Sequence, residues 1–179
     1  MIHVLDQLNI ERCHLIGHSM GGMIGILMLE KLQSRALSIV NMEANMTAKD
    51  SGASLTVVTQ SLEEFSSGGY DAFKETVAES HEKGSEKRLQ WLSLIPDFVF
   101  YKSAKSITQW ANSEKILKFF LSAPQKKLFV YGDKNRDKAA RLPDTIEKAE
   151  IPHAGHRMLA DNVEETRRVI ENFYREIAL

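Results

Sequence analysis

The feature that most constrains this chain is a short apolar run at residues 13–16, which meets Gly17-His18-Ser19-Met20-Gly21 and passes directly into a second apolar run ending near Leu32. The first run is too short for a helix and reads as a buried strand, with Cys13 buried in it. The second is apolar on nearly every face (Met23, Ile24, Ile26, Leu27, Met28, Leu29), which predicts a central helix. Joining a strand to a helix in so few residues demands a sharp turn, and glycines at both ends of the turn relieve the crowding. In a G-x-S-x-G turn of this kind the serine hydroxyl is pushed out at the top of a sheet. The three fixed positions would coincide by chance in a chain this long with a probability of roughly 5%. The flanking strand and helix are therefore what make the motif informative. Met20 opens the helix, so its backbone N–H is a candidate oxyanion donor.

A serine hydroxyl is a weak nucleophile unless a base removes its proton, and imidazole does this near neutral pH. Ile151-Pro152-His153-Ala154-Gly155-His156 lies between the last strand pattern, residues 148–151, and the closing helix. A loop there falls on the same sheet edge as Ser19, and His156 is the candidate base. His153 reads as a surface or loop-packing histidine, and His3, His14, His18 and His81 have no comparable context.

Elsewhere, Ile2, Leu5 and Leu8 predict a short helix ending near Asn9, and residues 37–42 and 127–131 predict further strands. Val163, Thr166, Val169, Ile170, Phe173 and Ile177 form one stripe of the closing helix. Strands alternating with helices imply an α/β fold with a parallel sheet. Between residues 47 and 124 the composition shifts towards Ser, Glu and Lys, Gly68-Gly69 breaks the chain, and several short helical patterns follow, which predicts a helical insertion. The expected organisation is a core of residues 1–46 and 125–179 with the insertion at 47–124.

With the motif, the chain order and the histidine in place, the sequence resembles the α/β-hydrolase superfamily over essentially its whole length. The resemblance implies a nucleophile at Ser19, a base at His156 and an oxyanion donor at Met20. Most members place the third, acidic group in a G-x-x-D pattern after the seventh strand, but Gly132-Asp133-Lys134-Asn135 has asparagine there. Some branches, certain haloalkane dehalogenases among them, use a glutamate directly after the sixth strand, where this chain has Glu43. On this resemblance Glu43 is the favoured acid, and the cost of leaving a carboxylate at the end of an apolar strand without a partner supports a functional role. Asp133 is the alternative and Asp137 a weaker third. The dehalogenases have an aspartate nucleophile where Ser19 stands, so acyl hydrolysis is the better expectation. The insertion occupies the place of the family's lid, whose pocket wall Trp91, Phe98, Phe100, Tyr101 and Trp110 could supply, although the favoured reading for most of these aromatics is that they hold the small helices onto the main domain. The family also has several strands before the elbow, so the resemblance implies that N-terminal strands, and with them the second oxyanion donor, are missing here.

Composition narrows the remaining classes. The 179 residues carry a formal net charge of -1, which favours neither nucleic acid nor an anionic membrane surface. A single cysteine excludes an internal disulfide and fits a reducing compartment, with the cytoplasm as the default. No run reaches the roughly 18 apolar residues of a membrane span. No cluster of Cys and His and no phosphate-cradling glycine loop calls for a metal or cofactor. The expectation is a serine hydrolase acting on a small, fairly apolar ester, thioester or lactone, in an unspecified oligomeric state. The rivals are a non-catalytic binding module on the same fold and a related enzyme such as a serine aminopeptidase or lyase.

Overall fold

A computed structural model describes residues 1–80 and 82–177. The chain opens with α1 (Ile2–Gln7), β1 (Cys13–His18), α2 (Met20–Leu32) and β2 (Ala36–Met42). Helices α3 (Gly52–Val58), α4 (Leu62–Glu64), α5 (Tyr70–Glu79), α6 (Ser85–Ser93) and α7 (Asp97–Asn112) follow. The chain then runs through α8 (Lys115–Ser122), β3 (Lys126–Gly132), α9 (Arg136–Ala140), β4 (Glu147–Ile151), α10 (Met158–Asp161) and α11 (Val163–Ile177). A helix follows every strand, and such crossovers let all the strands run the same way. The result is a four-stranded parallel sheet in the order β1-β2-β3-β4. The carboxyl ends of β1, β2 and β3 therefore lie side by side, and the loops leaving them share one sheet edge.

β2 is buried along nearly its whole length, as a near-continuous apolar strand covered on both faces should be. Val40, Met42, Leu128, Val130 and Ile151 form a core with Ala154, Met158 and Phe173. Against that core α11 packs Val169, Ile170 and Ile177, while Val163 at its start stays exposed. α2 packs on β1 and β2 and buries Met23, Ile26, Leu29 and Leu32, and only Met20 and Ile24 of its large apolar residues remain exposed. Each such side chain, fully buried, contributes roughly 1.5–3 kcal/mol. α1 buries nothing fully, and Arg35 ties it down through a 2.8 Å ion pair with Asp6. Among the described residues β1 pairs only with β2, and Ile16 is 53% exposed and Cys13 half-buried rather than buried as expected.

Residues Thr47–Ser113 form a separate compact unit. The insertion expected to reach residue 124 thus ends earlier. α8 belongs with the core unit because it buries Ile116 and Phe120 and packs on α2. The inserted unit has its own core of Val57, Phe65, Tyr70, Val77, Leu92 and Ala104, to which Phe73, Phe100 and Tyr101 add. Phe100 and Tyr101 pack into this unit's own interior, where Tyr101 donates a 2.8 Å hydrogen bond to the Gln60 carbonyl. Trp91 and Phe98 are 58% and 47% exposed. At Gly68-Gly69 the chain does not break; a wider helical turn at Phe65–Gly69 leads into α5 with a kink. Among the described residues no helix is long and apolar enough to cross a membrane.

Candidate active site

Ser19 sits between the last residue of β1 and the first of α2, with φ 54° and ψ -122°. That conformation costs a non-glycine residue roughly 1–3 kcal/mol and persists only where the surroundings enforce it. The surroundings here are backbone. A Cβ on Gly17 would lie 2.4 Å from the Gly21 carbonyl oxygen, and one on Gly22 would lie 2.8 Å from the Ala44 Cβ. Gly21 itself meets nothing within 4 Å, so the steric demand for glycine falls on Gly17 and Gly22 rather than on both ends of the motif. Met20 begins α2, and the N–H groups of a helix's first turn have no acceptor within the helix.

His156 reaches this turn from the loop after β4. Its Nε2 lies 3.0 Å from Ser19 Oγ, and its Nδ1 lies 2.9 Å from Glu43 Oε2. An ionised carboxylate can only accept, so Nδ1 carries the proton and the Nε2 lone pair faces the serine hydroxyl. Asn45 adds a carbonyl oxygen 3.4 Å from Ser19 Oγ.

Glu43 follows β2 with φ 46° and is fully buried. An isolated carboxylate could not ionise there, but this one is surrounded by donors. The Gly132 N–H donates to Oε1 at 3.0 Å, Asn135 Nδ2 to both oxygens at 3.0 Å, and Lys138 Nζ to Oε2 at 2.7 Å. Burial pushes the carboxyl up, but the bonds from His156, Lys138, Gly132 and Asn135 outweigh it and bring it from an ordinary 4.5 to about 2. Asn135 thus stands where the family pattern has an aspartate and serves as a neutral donor; an aspartate there would repel Glu43. Gly132 is needed for a close approach, since a Cβ on it would lie 2.3 Å from the Ala154 carbonyl oxygen.

The structure brings Ser19, His156 and Glu43 together and leaves Asp133 out. Asp133 accepts the backbone N–H groups of His153 and Ala154 at 2.9 and 3.0 Å, which shapes the loop ahead of His156. Those bonds, the His153 one foremost, hold its carboxyl below the usual range. Asp137 is exposed and pairs with Arg141 at 3.8 Å. His153 is exposed with φ 57°, in keeping with a loop role. His81 lies outside the described residues.

Sequence reasoning passed over His18, Asn45 and Lys138. Lys138 had a faint signal in standing one helical turn beyond Asn135. His18 occupies the free position before the serine, and its Nε2 lies 2.6 Å from the His156 carbonyl oxygen.

A parallel sheet with a strained serine between strand and helix, and a histidine after the last strand, defines the α/β-hydrolase class. A sequence model described as the alpha/beta hydrolase fold matches residues 2–90. Among curated proteins none matches the chain. Among solved structures, a thermophilic esterase from Thermogutta terrifontis is 17% identical over 97% of this chain and 69% of its own, with a TM-score of 0.74. A variant of the meta-cleavage product hydrolase of Pseudomonas fluorescens is 19% identical over 98% of this chain and 69% of its own, at 0.63. An N-acyl homoserine lactone degrading enzyme is 18% identical over 96% and 71%, at 0.61. At such identities the likeness is one of fold. The chain belongs to the α/β-hydrolase superfamily.

Proposed function

We propose that this chain is a serine hydrolase that cleaves a small, fairly apolar ester, thioester or lactone through an acyl-enzyme on Ser19. The observation that carries this reading is the unbroken line from Ser19 Oγ to His156 Nε2 at 3.0 Å and from His156 Nδ1 to Glu43 at 2.9 Å. Its similarity in fold to an esterase and to a lactone-degrading enzyme supports an acyl substrate.

In the proposed reaction Ser19 Oγ attacks the acyl carbon as His156 Nε2 takes its proton. The carbonyl oxygen becomes an oxyanion, which the Met20 N–H stabilises, and Glu43 holds the imidazolium that has formed. Collapse expels the alcohol, thiol or ring oxygen, which receives the proton back from His156. His156 then deprotonates a water that attacks the acyl carbon, and Ser19 leaves with its proton restored. Thr47–Ser113 takes the part of the lid in this reading on the ground of its place in the chain, directly after the strand that leads to Glu43.

A fluorophosphonate probe followed by peptide mass spectrometry tests the reading. The adduct is expected on Ser19 and absent in Ser19→Ala. Hydrolysis of a p-nitrophenyl ester should be lost in Ser19→Ala and in His156→Ala, and the double variant should be little worse than either, because such groups act as a unit. A wild-type chain that folds but takes no label would instead favour a binding module on the hydrolase fold.

A further inference from the structure

We propose that His18 is a positioning residue whose Nε2–H holds the backbone carbonyl of His156, tying the loop that bears the base to the turn that bears the nucleophile. The proposal rests on the serine-hydrolase reading for its consequence and on separate geometry for its substance. His18 Nε2 lies 2.6 Å from the His156 carbonyl oxygen, and the two rings lie 4.7 Å apart at 36°. A carbonyl can only accept, so His18 must carry its proton on Nε2.

The two ends of this link differ in rigidity. His18 is the last residue of β1 and pairs with Met42 of β2, so its backbone belongs to the sheet. His156 lies in a stretch without regular structure between β4 and α10. Upstream, that loop is held by Asp133 at His153 and Ala154, and the Gly155 N–H donates to Asp161 at 2.9 Å. The contact from His18 is made to the backbone of His156, and it comes from the residue adjoining Ser19. Glu43 holds the His156 ring at Nδ1, and His18 adds a direct tie from the nucleophile turn to the backbone that carries that ring.

Charge agrees with this role. Burial, the largest influence, drives the His18 ring towards its neutral form against the hydrogen bond to His156, which favours the charged one. Of the charged groups facing it, His156 and Lys138 disfavour a cation there and Glu43 favours one. A neutral His18 puts no competing positive charge beside the imidazolium that forms on His156.

The test uses His18→Gln and His18→Leu in the full chain. The amide nitrogen of glutamine can reach the position of Nε2, whereas leucine offers no donor. Fluorophosphonate labelling of Ser19 should slow by roughly 10- to 100-fold in His18→Leu, the scale expected of a base displaced by a fraction of an ångström to an ångström, and should be restored in His18→Gln. Nitrogen-15 spectra of the histidine side chains supply a readout that needs no chemistry: His18 should be an Nε2–H tautomer, and the His156 Nδ1 proton bonded to Glu43 should shift or vanish in His18→Leu but persist in His18→Gln. If His18→Leu does not fold, His18→Asn, whose amide is too short for the span, takes its place with the same expectation. Labelling and a His156 proton signal both unchanged in the donor-less variant would overturn the proposal and leave the serine reading standing. Absence of labelling in the wild type, with the His156 signal still dependent on His18, would overturn the serine reading and leave the positioning role intact.

Discussion

Glu43 and Asp133 stand just past the carboxyl ends of neighbouring parallel strands, and their fates are opposite. Glu43 is fully buried with a positive φ and collects side-chain donors from Asn135, Lys138 and His156. Asp133 is half-buried and collects backbone donors from the next loop. The same functional group thus serves two purposes. A carboxylate in a dry site whose donors include an imidazole sets that imidazole's tautomer and charge, whereas one that gathers main-chain N–H groups at the surface sets the path of a loop.

Substitution at the buried member should break the comparison most visibly. Glu43→Gln keeps the shape of the side chain but removes the charge that fixes the His156 tautomer, so kcat on a p-nitrophenyl ester should fall by about 10³- to 10⁴-fold. A loss smaller than that of Asp133→Asn would move the acidic role to the later loop.

The next effect is on stability in acid. The folded-state value of Glu43, about 2, lies below its ordinary 4.5, so its contribution is present above pH 4.5 and is lost as pH falls towards 2. The difference corresponds to about 3 kcal/mol. Urea unfolding at several pH values should show wild type and Glu43→Gln well separated near neutrality and converging below pH 3. Curves that stay parallel down to pH 2 would mean that Glu43 is not held ionised in the folded protein.

The smallest effect belongs to Asp133→Asn. Its oxygen can still accept one of the two loop amides, so the rate should fall by less than about tenfold, through a looser approach of His156 rather than a changed charge. The same nitrogen-15 spectra can show this directly, because the His156 Nδ1 proton should persist in Asp133→Asn and be lost in Glu43→Gln.

Much of this protein follows from local patterns in its sequence. The strand-turn-helix around Ser19, the parallel α/β architecture and the loop of His156 are legible because they rest on periodicity, glycine and short-range order. Glu43 was favoured through the resemblance to those family branches that carry a glutamate after the sixth strand, with its place at the end of an apolar strand as support. Other features only the tertiary structure decided. His156 meets a glutamate 113 residues away, and Lys138 meets the same carboxylate across 95 residues. Asn135, which as a departure from the family pattern looked like a loss, is a donor to that carboxylate. The steric need for glycine moved from Gly21 to Gly22, and α8 passed from the insertion to the core. These outcomes share one cause. They depend on which strand ends the sheet order and register bring side by side, and burial then makes each polar group's partner a matter of that long-range geometry, on which no local run of residues carries information.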